Sequence, residues 1–240
     1  MAPLLEVRAL TRRFGGVFAN RDISFDVAAG SIVGLIGPNG AGKTTVFNLL
    51  TGFLVPDQGE VRFEGRAITG KRPDQLSRRG IARTFQVLRP FPRLTVEENV
   101  MVGPIARGES MAAARTRAQH CLELVGIRHK AGDLARGLST GQRKRLEMAR
   151  AMATEPRLLL LDEITGGVDQ PSIPALVALV GKLRDEGVTL LVIEHNMRVI
   201  MELADTVVFL HLGEKLAEGP PREIARHPKV VELYLGSGHA

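Results

Sequence analysis

At 240 residues, 44% of them apolar, the chain is long enough for one large domain or two closely associated lobes. A single cysteine excludes an intrachain disulfide and fits a reducing compartment. The net charge of +6 is moderate, and part of the excess (Lys71, Arg72, Arg78, Arg79, Arg83 and Arg89) lies between Arg62 and Arg93. That stretch reads first as a solvated basic face, and then as a surface for anionic lipid headgroups. Nucleic acid is not expected, because no helix-turn-helix, zinc-ligand or aromatic RNA-binding pattern accompanies the charge.

No segment approaches the roughly 18 apolar residues that span a bilayer. The start, Met1 to Glu6, has no basic n-region and too short an apolar run for a signal peptide, so the chain is expected in the cytosol. In chain order, short strands are predicted at Leu5–Ala9, Ile23–Val27, Ile32–Ile36 and Val61–Phe63. Turns are expected at Ala29-Gly30 and Pro56-Asp57-Gln58-Gly59. From about Thr95 to Met152 the pattern is helical, with possible capping boxes at Thr95/Glu98 and Ser139/Gln142. Cys121 falls in a stripe with Ala114, Ala118, Leu122 and Val125, one helix face, which points to core packing. Leu158–Leu161 and Thr189–Ile193 read as buried parallel strands around a helix from Ile173 to about Arg184, and Val207–Leu210 as a further strand. The pattern predicts an α/β nucleotide-binding core with an inserted helical lobe.

Between the third strand and a helix lies Gly37-Pro38-Asn39-Gly40-Ala41-Gly42-Lys43-Thr44-Thr45, a complete phosphate-binding loop. Its glycines permit the tight turns that aim backbone N–H groups at phosphate oxygens, and the following helix adds its positive end. Lys43 is placed to reach the β- and γ-phosphates and the Thr44 hydroxyl to bind Mg²⁺, so the chain is read as binding a nucleoside triphosphate. The strand Leu158–Leu161 runs into Asp162 and Glu163. Asp162, at the carboxyl end of a parallel strand, is expected to share the Mg²⁺. Glu163 is then assigned as the general base for the attacking water. His195, after the strand Thr189–Ile193, is either structural or a partner of the γ-phosphate or water. Gln86 is equally open: its amide oxygen can reach Mg²⁺ or water.

Leu138-Ser139-Thr140-Gly141-Gln142 combines a helix cap with small residues that let backbone N–H groups approach an anion. Here the sequence resembles the ATP-binding-cassette (ABC) family, whose signature is close to Leu-Ser-Gly-Gly-Gln. The resemblance covers essentially the whole chain, residues 1–240, as a single nucleotide-binding domain. It implies an α/β phosphate-loop core, an N-terminal antiparallel β lobe, a helical subdomain at about 86–152 and a tail at about 225–240. It also places Phe14 as the aromatic that stacks on adenine, Gln86 in the Q-loop, His195 as the switch histidine and Asp169 in the D-loop. By the same resemblance, Ser139, Thr140, Gly141 and Gln142 of one subunit meet the γ-phosphate held by a second, identical or non-identical subunit, with two ATP molecules in a dimer interface. Three departures stand out: Thr140 for a glycine, Ile164 for the usual proline, and Gly166-Gly167-Val168 for a commoner Gly-Leu pattern. Losing the proline frees φ, so the loop carrying Glu163 is expected to be less rigid.

Three stretches are similar to the ATP-binding subunits of bacterial branched-chain amino-acid importers: Arg83-Thr84-Phe85-Gln86, the run from Leu138 to Arg150, and the tail His227 to Gly236. That resemblance implies ATP-driven uptake through transmembrane permease subunits, fed by an extracytoplasmic binding protein, with this chain peripheral on the cytoplasmic face of the inner membrane. The segment Val87–Leu94 would lie near the groove that receives a permease helix. The tail's Val230, Val231, Leu233 and Leu235 are expected to fold back on the core. The alternatives are a lipopolysaccharide-export cassette, which usually keeps Leu-Ser-Gly-Gly-Gln, and a soluble ABC ATPase, normally tandem or carrying coiled-coil insertions. A GTPase or small-molecule kinase would leave the signature unexplained, and a silent cassette would not need Lys43, Asp162, Glu163 and His195 together.

Overall fold

The computed structural model describes residues 3–85 and 90–235, so Gln86, Val87 and Arg89, and the tail from Gly236, lie outside the described residues. The chain opens with β1 (Leu5–Phe14) and β2 (Val17–Val27), a hairpin that pairs antiparallel with β4 (Gln58–Phe63) and the two-residue β5 (Arg66–Ala67) in the order β2-β1-β4-β5. Between them come β3 (Ile32–Ile36) and α1 (Lys43–Leu50). The second sheet, completed by β6 (Ile81–Arg83), β7 (Leu158–Asp162), β8 (Thr189–Ile193), β9 (Thr206–His211) and β10 (Glu214–Gly219), has the order β10-β9-β3-β8-β7-β6. It is parallel apart from the β9–β10 hairpin at one edge.

The parallel strands are buried on both faces, which is why they read as unbroken apolar runs. Alternate residues still go to different places. Leu158 and Leu160 of β7 join Val33, Leu35, α1 and the antiparallel sheet in one core. Leu159 and Leu161 face the other way, into a core built with the helices α3 (Val96–Ala106), α4 (Met111–Leu124), α5 (Thr140–Met152) and α6 (Ile173–Asp185). Both expected capping boxes form: the Thr95 hydroxyl accepts from Glu98 N at 3.1 Å and the Ser139 hydroxyl from Gln142 N at 3.3 Å.

The structure extends or shifts several expectations. β1 runs five residues past Ala9, because register shifts interrupt the alternation between Val7 and Leu10 and Ala9 itself has φ of 49°. The turn expected at 56–59 ends earlier, since Gln58 and Gly59 already belong to β4. The short α2 (Pro73–Arg78), β6, α7 (Met197–Leu203) and the polar edge strand β10 carry too little periodicity to be read from sequence. The tail folds back through α8 (Pro221–Ile224) and α9 (Pro228–Leu235), where Val230 is buried beside Phe209 and Ile224, Leu233 packs against that cluster, and Val231 faces solvent.

Cys121 is packed in the α3–α6 core, and burial pushes its thiol up to about 11. At pH 8 the native protein should therefore hold about one thiolate in a thousand and resist iodoacetamide, reacting only on unfolding. Rapid alkylation of the folded chain would contradict this placement.

Candidate functional site

The loop between β3 and α1 is held from two sides. At Gly37, φ is 148° and a Cβ would lie 2.1 Å from the Leu210 carbonyl of β9, so no side chain fits. At Gly42, which caps α1 with φ of 96°, a Cβ would meet the Ala19 carbonyl and the Asn20 amide, both at 2.4 Å. Asn20, fully buried on β2, donates to the Gly42 carbonyl at 3.3 Å. The antiparallel sheet thus sets the start of α1, whose first N–H groups have no partner within the helix and face the mouth of the loop.

Those N–H groups border an open cavity of about 300 Å³ lined by residues 39–45, Ala19, Ile193, Glu163 and His195. Lys43 is buried, and its ammonium donates to the Gly37 and Pro38 carbonyls at 2.7 and 2.8 Å. Burial lowers its pKa, against which the nearby Glu163 and Asp162 carboxylates act. Across the cavity, Glu163 Oε1 and His195 Nε2 are 2.8 Å apart. Parallel pairing produces that contact, since β7 and β8 end in register with Asp162 opposite Ile193.

Glu163 is not in relaxed backbone. Its φ is 50°, a conformation that costs a non-glycine residue about 1–3 kcal/mol unless its surroundings hold it. The holding groups are polar and buried. Glu194, 2% exposed, accepts from Thr165 N at 2.7 Å and from the Thr165 hydroxyl at 2.9 Å, tying the exit of β7 to the exit of β8. Lys144 of α5 donates its ammonium to the Glu163 carbonyl, and Gly166 N reaches the same carbonyl at 3.2 Å. Ile164 is itself 1% exposed in the core. The loop is therefore tied at both of its ends, and its middle side chain is packed in the core.

Asp162 lies under the cavity rather than on its wall. Its Oδ2 pairs with Arg83 Nη2 at 2.8 Å, with the two side chains 2% and 6% exposed. Arg83 also donates to the Asn48 side chain at 2.6 Å and lies 5.4 Å from the Phe47 ring centroid, joining β6, α1 and β7. Thr44, by contrast, lines the cavity. Hydroxyl and carboxylate oxygens are hard donors suited to Mg²⁺, and among the described residues no group of three or more His, Cys, Asp or Glu could hold a metal ion without outside ligands. The donor set fits Mg²⁺ shared with phosphate oxygens.

The remaining predicted residues sit elsewhere. Phe14 is 47% exposed with the Arg12 guanidinium 5.1 Å from its ring, away from the cavity wall. Asp169 accepts from the Ser172 hydroxyl at 2.8 Å. Residues 139–142 do not line the cavity of their own chain; Ser139 and Thr140 are exposed at the start of α5. The Thr140 methyl turns toward Gly167, 3.8 Å from where a Cβ would stand there. Asn20, Lys144 and Glu194 are site residues to which sequence reasoning gave no role, and Arg83, expected on a solvated basic face, is instead buried against Asp162. Arg83 and Lys144 lay inside quoted motif runs, and Glu194 beside His195, but their partners are remote in sequence.

The ABC transporter family pattern matches residues 20–166, and that of the branched-chain amino acid ATP-binding cassette transporter matches residues 214–240. The chain is 41% identical to the high-affinity branched-chain amino acid transport ATP-binding protein BraF of Pseudomonas aeruginosa, over 98% of each chain. Among solved structures, the ADP conformation of an ATP-binding cassette of an ABC transporter superimposes with a TM-score of 0.90 at 34% identity, covering 98% of this chain and 100% of that one. A dimeric post-hydrolysis cassette bound to ADP and Pi superimposes at 0.80 with 27% identity, over 91% and 99%.

The Arg83–Asp162 pair carries a direct prediction. Arg83→Met should destabilise the fold by about 3–5 kcal/mol in urea unfolding, because it strands a buried carboxylate. Adding Asp162→Asn should recover part of that loss, and additive losses would mean the pair is not coupled.

Proposed function

We propose, for a chain that belongs to the ABC transporter family and to its branched-chain amino-acid ATP-binding branch, the role of ATP-hydrolysing subunit of a branched-chain amino-acid importer. The observation that carries the chemistry is the Glu163–His195 pair facing a complete phosphate loop across one cavity. The tail match over 214–240 and the BraF likeness favour import over lipopolysaccharide export or a soluble cassette.

In this reading the N–H groups of residues 39–45 and the positive end of α1 take the phosphates, and Lys43 exchanges its loop carbonyls for the β- and γ-phosphate oxygens. Thr44 and Asp162 would hold Mg²⁺, with Gln86 a further candidate; the ion would neutralise phosphate charge. Arg83 holds the Asp162 carboxylate in place through its 2.8 Å ion pair. Glu163 takes the proton of the attacking water, while His195 Nε2 orients that carboxylate and stands where it can meet the γ-phosphate. Phe14 offers its exposed ring to adenine.

The γ-phosphate is completed from a second subunit. The capping box occupies Ser139 and Gln142 with each other and leaves the exposed first turn of α5 to receive an anion that its own chain does not supply. Asp169 is assigned to the same interface by the family resemblance. A cassette 27% identical has been solved as a dimer with ADP and Pi, which supports this arrangement.

A second cavity, about 280 Å³, opens between the sheet and the helical lobe, lined by Phe53, Leu76, Arg83, Phe85, Glu147 and Arg150 among others. Phe53 and Phe85 are about half exposed and meet edge to face at 5.6 Å. We assign it to a permease helix; Gln86, the residue after Phe85 in sequence, lies outside the described residues. No helix among the described residues is long and apolar enough to cross a membrane, consistent with attachment to the cytoplasmic face through permeases, fed by an extracytoplasmic binding protein.

Glu163→Gln should lower ATP turnover by about 10²–10⁴-fold. The variant should form an ATP-dependent dimer on size exclusion. Wild-type turnover per chain should rise with protein concentration. Full hydrolysis by a strictly monomeric preparation would overturn the shared site.

A further inference from the structure

We propose that Lys144 is a positioning residue for the general base, gripping the Glu163 main chain from the signature helix; this rests on the reading of Glu163 as that base. Lys144 lies on α5 just over one turn after the Ser139 cap, and only 6% of it is exposed. A lysine so removed from water needs compensation, and it is surrounded by the Glu194, Glu163, Glu147 and Asp162 carboxylates. Its ammonium nevertheless ends on a main-chain carbonyl, that of Glu163.

The choice of acceptor is informative. Glu163 and Gly166 close a hydrogen-bonded turn at 3.2 Å, with Ile164 in its second position. That is where proline would preset φ, and this chain lacks it. Glu163 is also left-handed at φ of 50°, so the loop gains by relaxing unless something holds it. The Lys144 ammonium supplies that restraint from outside the loop. Because α5 carries Ser139 at its exposed start, the element offered to the neighbour's nucleotide and the base serving the chain's own nucleotide are joined by one side chain. Movement of α5 then displaces Glu163.

The test is a double-mutant cycle on ATP turnover by the purified full chain. Lys144→Met keeps the stem and removes the donor; kcat should fall about tenfold with KM for ATP within about twofold, as for an interaction felt at the transition state. Lys144→Arg, which keeps charge and donors, should retain at least about half of kcat. In a Glu163→Gln background, Lys144→Met should cost no further turnover. The thermal midpoint of each variant separates positioning from folding. An undiminished loss in the Glu163→Gln background, a rise in KM matching the fall in kcat, or a drop in midpoint with no rescue by Lys144→Arg would each overturn the proposal. If Glu163→Gln itself retains turnover, the assignment of the base fails and the proposal falls with it, a result distinct from additivity.

Discussion

The site depends on the register of two parallel strands. Asp162 at the end of β7 stands opposite Ile193 at the end of β8, so the residues that follow, Glu163 on one strand and Glu194 and His195 on the other, leave the sheet side by side. β3 pairs with β8 on its other edge and delivers the phosphate loop to the same rim. A slip by one would exchange leucine for leucine within Leu158–Leu161 but would draw the charged Arg157 or Asp162 out of place, so the register is set at the strand ends.

Polar contacts then refine what the sheet delivers. Glu194 and Lys144 grip the loop after β7 at the Thr165 amide and the Glu163 carbonyl, and Arg83 holds Asp162 from beneath. Each of these groups is nearly excluded from water, where hydrogen bonds and ion pairs are strong when satisfied and costly when broken. The loop after β7, which lacks proline at position 164, is thus held by two side chains, one from α5 and one from the end of β8. The strain at Glu163 persists because the surroundings leave it no better place to go.

Much of this was legible in the sequence wherever the determinants are local. The phosphate loop, both capping boxes, the strands Ile32–Ile36 and Thr189–Ile193 and the role of Cys121 as core all follow from neighbouring residues obeying one period or one turn chemistry. Legibility ended at contacts between distant segments. Arg83 and Asp162 are 79 residues apart, and Lys144 and Glu163 are 19 apart. Nothing in either local pattern says that a cation on a helix will finish on a particular carbonyl. Bulges defeated the reading of β1 for a related reason, since a shift of register breaks the alternation that identifies a strand.

The lysine of the phosphate loop carries a consequence for exchange. With its ammonium seated on the Gly37 and Pro38 carbonyls, the charge is satisfied within the loop itself. In the proposed role, incoming nucleotide would trade one set of acceptors for another instead of ordering a slack segment, so little conformational entropy would be forfeited on arrival. On departure those carbonyls would recapture the ammonium as the phosphates let go, giving a spent nucleotide an internal competitor for its handle on Lys43.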